Sequence, residues 1–97
     1  MFCKLVGQVA HWTPPRWAAS SSSGPTRAVL LHDLVQWLAD RSAAAEGRPA
    51  FPVPRLDNDL ALPDQLLVVA ADLRRFADAA TLAAAAERVN AIRGAFS

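Results

Sequence analysis

From Leu62 onward the apolar residues step by four and three: Leu62, Leu66, Val69, Leu73, Phe76 and then Ala80. That spacing lays one apolar stripe along an α-helix and fits no strand, whose faces alternate with period two. A second stripe follows at the same spacing, formed by Leu82, Ala85, Val89, Ile92 and Phe96. Continuing the first stripe at 3.6 residues per turn predicts apolar positions near 84 and 87–88, yet Glu87 and Arg88 stand there. The two stripes are about half a turn out of phase. One long straight helix would turn them to opposite sides and would have to pack against different neighbours. A break over residues 78–81 resolves the conflict, with Asp78 or Thr81 capping the later segment. Helices are therefore expected over 63–79 and 81–95. Pro63 suits a first helical turn, and Asp64 sets a negative charge at the positive end of the helix dipole.

A third helix is expected earlier, over 25–46. Ser23 or Gly24 can cap it, and Pro25 stands near its first position, where a missing backbone donor costs nothing. Leu31, Leu34, Val35 and Leu38 fall at helical spacing, widened by Leu30 and Trp37, while Asp33, Gln36 and Asp40 form a polar strip. The helix should fade through 42–46 and stop at Gly47, with Pro49 close behind. Four prolines in residues 48–63 predict a long irregular crossing, with Phe51, Val53 and Leu56 as its contacts to the helices.

Upstream, residues 1–12 alternate loosely and predict an extended arm or short strand. Pro14 and Pro15 argue against regular helix, and residues 20–24 have turn and linker composition, making this stretch the boundary of the helical core. Trp12 and Trp17 are the expected anchors of the arm. The fold class is then mostly α: a three-helix single domain spanning 1–97, with an extended N-terminal arm over 1–24. Ninety-seven residues leave no room for a second core.

Composition bears on how well such a core closes. Hydrophobic residues make up 53%, but 21 of them are alanine. Leu, Ile, Val and Phe total 25, enough to fold but thin beside stripes that outnumber what three short helices can shield. A protein partner or a second copy of the chain is expected to complete the cover.

Charge and motif narrow the chemistry. A formal net charge of +1 creates no field that would draw nucleic acid or an anionic membrane. The longest apolar run, residues 66–71, is far short of the roughly 18 needed for a membrane span. Residues 1–12 lack the apolar stretch of a signal peptide, so a cytoplasmic location is expected. Nine arginines against one lysine, one isoleucine and no tyrosine suit GC-rich coding DNA and a bacterial source. Cys3 stands alone, which excludes an intrachain disulfide or a cysteine-based zinc site and fits a reducing compartment.

Each remaining group has a plainer role than catalysis. Cys3, His11 and His32 could pair a thiolate with an imidazole, but no recognised spacing supports it, and a free cysteine is ordinarily a small buried hydrophobe. His32 and Asp33 are adjacent, so they point to different sides of a helix. Asp57, Asn58, Asp59 and Asp64 are oxygen-rich, yet counting from Asp57 the sixth position is Leu62, where a calcium loop needs glycine, and the twelfth is Val68, where it needs glutamate. Serines 20–23 have no glycine cradle or lysine for phosphate. Pro49 and Pro52 satisfy a PxxP spacing that packing of the loop on its own helices explains as well.

The leading expectation is a small non-enzymatic protein–protein interaction module, a homodimer or a subunit of a larger assembly, with no cofactor and no metal. Its partner-binding residues are expected to be Trp12, Trp17, Trp37, Leu66, Val69, Leu73 and Phe76. The alternative is a helix-turn-helix-like DNA-binding regulator using the 63–95 helices, with Arg74 and Arg75 near the backbone and Arg88, Asn90 and Arg93 on the recognition helix. Residues 64–97 carry four acidic and four basic side chains, which argues against it.

Overall fold

The computed structural model describes residues 2–22, 24–54 and 59–96, with side chains from residue 5 onward except that of residue 59. Its architecture is mostly α. Helices α1 (Phe2–Val9), α2 (Pro14–Ala18), α3 (Arg27–Glu46), α4 (Leu62–Phe76) and α5 (Ala79–Ala95) follow in order, with a 3₁₀ turn, Asp59–Ala61, leading into α4. The three helices expected from apolar spacing are α3, α4 and α5, each bound falling within three residues.

The stop and start signals act where the sequence places them. Gly47 ends α3 in the left-handed conformation, φ 74°, which a residue with a Cβ adopts only under strain. Pro63 and Asp64 stand in the first turn of α4. The chain turns extended at Ala77, and the Asp78 carboxylate accepts from the Thr81 backbone N–H at 2.8 Å to open α5. The out-of-phase stripes thus belong to two helices. The start of α3 differs from expectation: Thr26, not Ser23 or Gly24, is its N-cap, and the Thr26 hydroxyl accepts from Val29 N–H at 3.2 Å. Pro25 consequently lies just outside the helix.

The expected extended arm is helical instead. Leu5 and Val9, both fully buried, are four residues apart and so share one face of α1. Pro14 and Pro15 do not prevent α2, because they occupy its first turn behind Thr13, where no intrahelical donor is required. The serine stretch is a closed turn and not a linker. Ser21 is buried, its N–H and hydroxyl both donate to the Pro25 carbonyl at 2.8 and 2.7 Å, and Gly24 completes the reversal at φ 109°. Ser22 donates from backbone and side chain to the Ala95 carbonyl at the end of α5.

One hydrophobic core gathers residues from every helix. Leu31, Leu34, Val35 and Leu38 of α3 meet Leu62, Leu66, Ala70 and Leu73 of α4, with Ala85 and Val89 of α5. The alanines of α5 let it approach closely, as buried Ala85 illustrates. The N-terminal helices close the end of this core. Trp12 lies edge-on to both Trp17 and Phe96, each pair with ring centroids 4.9 Å apart, and the Arg16 and Arg27 guanidinium groups lie over the Trp12 ring. Leu5, Val9, Trp12 and Trp17 add part of the cover that the stripes require. Among the described residues, no helix is long and apolar enough to cross a membrane.

Candidate interaction surface

The seven residues expected to meet a partner separate into two groups. Trp17, Leu66 and Leu73 are fully buried and Trp12 nearly so, all within the chain's own core. The tryptophans hold the N-terminal helices as anchors. Trp37 and Val69 are half-buried and Phe76 is exposed. Only these last three reach the surface.

Trp37 lines a groove of about 590 Å³ between α3 and α5. Leu30 and Leu34 contribute its apolar wall on α3, and Ala84, Ala91 and Ile92 its wall on α5. The short alanine side chains leave the space in which the indole is partly open. Two guanidinium groups lie over that ring, Arg41 at 5.2 Å and Arg88 at 4.7 Å from Cζ to centroid. Such contacts hold a flat, delocalised cation against an electron-rich face. Among the described residues, neither guanidinium has a carboxylate within ion-pair distance. Asp33 and Glu87 also line the groove, so its lining carries two acidic and two basic groups.

A second apolar surface lies on the outer side of α4. Val68 is 64% exposed and Leu67 47%, beside a cleft of about 330 Å³ to which Val35, Val53 and Val69 contribute. One exposed valine and one exposed leucine on a helix are not unusual in a folded protein; here Val68 also lines an apolar cleft.

The proline-rich crossing is fastened to α3 by side chains that mimic a strand partner. The Gln36 amide oxygen accepts from Val53 N–H at 2.6 Å and its nitrogen donates to the Phe51 carbonyl at 3.2 Å. His32 Nε2 donates to the Val53 carbonyl at 3.0 Å, since a carbonyl can only accept. His32 is thereby a structural donor, and Val53 packs on the core as the spacing suggests, whereas Phe51 projects outward. Leu56, Asp57 and Asn58, and the side chains of Cys3 and Asp59, lie outside the described residues. His11 and Asp64 are exposed. Among the described residues, no three His, Cys, Asp or Glu side chains converge.

The arginines considered for DNA have places within the fold. Arg88 stacks on Trp37, Arg93 Nε donates to Gln8 at 3.2 Å, and Arg75 lies over Phe76. Arg41 is the groove residue that spacing alone did not single out. Its signal was present, since Asp33, Trp37 and Arg41 recur every four residues and form a single ridge of α3. No protein-family model, no curated protein and no solved structure matches the chain.

Proposed function

We propose that this chain is a small non-enzymatic protein–protein interaction module that self-associates, as a homodimer or as a subunit of a larger assembly. The observation that carries this reading is the half-buried Trp37, open to a groove and attended by two guanidinium groups that have no carboxylate partner among the described residues. Tryptophan and arginine are the side chains that most often dominate binding energy when a partner seals them from water. The exposed Val68 and Leu67 on α4 add apolar surface of the kind that a second chain covers.

Solution mass tests the reading. Light scattering or sedimentation equilibrium on the native chain should give a mass that rises above 10.4 kDa with concentration. Trp37→Ala should move that rise to higher concentration while the helical circular dichroism stays intact. A particle that holds the mass of one chain up to high micromolar concentration removes the proposal.

A further inference from the structure

We draw no further inference here: the strongest candidate, the apolar cleft lined by Val35, Val53, Val68 and Val69 between α3, the proline-rich crossing and α4, is an unpartnered face and nothing in the structure shows what covers it.

Discussion

Truncating Trp12 to alanine separates an anchored N-terminal segment from a merely adjacent one. The Trp12 side chain is 6% exposed and makes two edge-on aromatic contacts at 4.9 Å, one to Trp17 and one to Phe96. Removing a buried tryptophan costs about 3–5 kcal/mol, through lost transfer energy and the cavity left behind. A domain of this size has total stability of about 5–15 kcal/mol and loses roughly 4–8 °C of melting temperature per kcal/mol. Trp12→Ala should therefore melt about 12–40 °C below the native chain. Trp37→Ala provides the contrast. Its ring is half-buried against the core, and its two guanidinium contacts add about 0.5–1 kcal/mol each at exposed positions, so a loss smaller than that of Trp12→Ala is expected. Thermal and denaturant unfolding followed by far-ultraviolet circular dichroism measures both. If Trp12→Ala costs less than about 1 kcal/mol, or no more than Trp37→Ala, the N-terminal helices are not part of the core and their packing against Phe96 is wrongly placed.

Two further perturbations address the helix cap and the crossing loop. The Thr81 backbone N–H and then the Thr81 side chain, both hydrogen-bonded to Asp78, hold its carboxyl below the usual carboxylate range. A lowered folded value means that the cap stabilises above the unfolded value and is lost as pH falls through the folded one. Asp78→Ala should thus melt earlier than native at neutral pH, with the gap closing in strong acid; a gap that persists there would refute the charged cap. Gln36→Ala removes both hydrogen bonds to the 51–53 backbone, each worth about 0.5–1.5 kcal/mol. Hydrogen exchange at the Val53 amide should accelerate by about tenfold or more, and unchanged exchange would show that Gln36 does not hold the loop.

The parts of the fold legible in sequence are those with local punctuation. Gly47 stops α3 because the stop requires a left-handed residue, and Asp78 starts α5 because its carboxylate reaches the third amide onward. The phase slip between the stripes is visible because each stripe runs for four turns. Helix α1 has no such length. Leu5 and Val9 share a helical face, but over eight residues Lys4 and Gln8 also fit an alternating pattern, and periods of 2 and 3.6 cannot be told apart. A helix that short is held by packing and not by its own propensity. Pro14 and Pro15 mislead for a related reason: proline opposes helix in the interior, and only a known start at Thr13 reveals them as first-turn residues.

The surface is harder to read than the core because burial inside a chain and burial against a partner demand the same residues. Trp12, Trp17, Leu66 and Leu73 are as apolar as any binding hot spot, and nothing local distinguishes an anchor from a contact. Trp37 is different only through neighbours supplied by another helix. Arg41 is one turn away on α3, but Arg88 reaches the same ring from α5, a pairing that depends on how two helices dock.

The contact between Trp12 and Phe96, with that between Gln8 and Arg93, spans almost the whole chain, the latter pair being 85 residues apart. A ribosome delivers the second partner of each pair long after the first. Helix α3 can coil as soon as it emerges, and α4 can settle on it, but the indole of Trp12 lacks one of its two edge-on partners until Phe96 leaves the exit tunnel. That interval, when a greasy aromatic awaits its lid, is when the nascent chain is most open to chaperones and to misassembly.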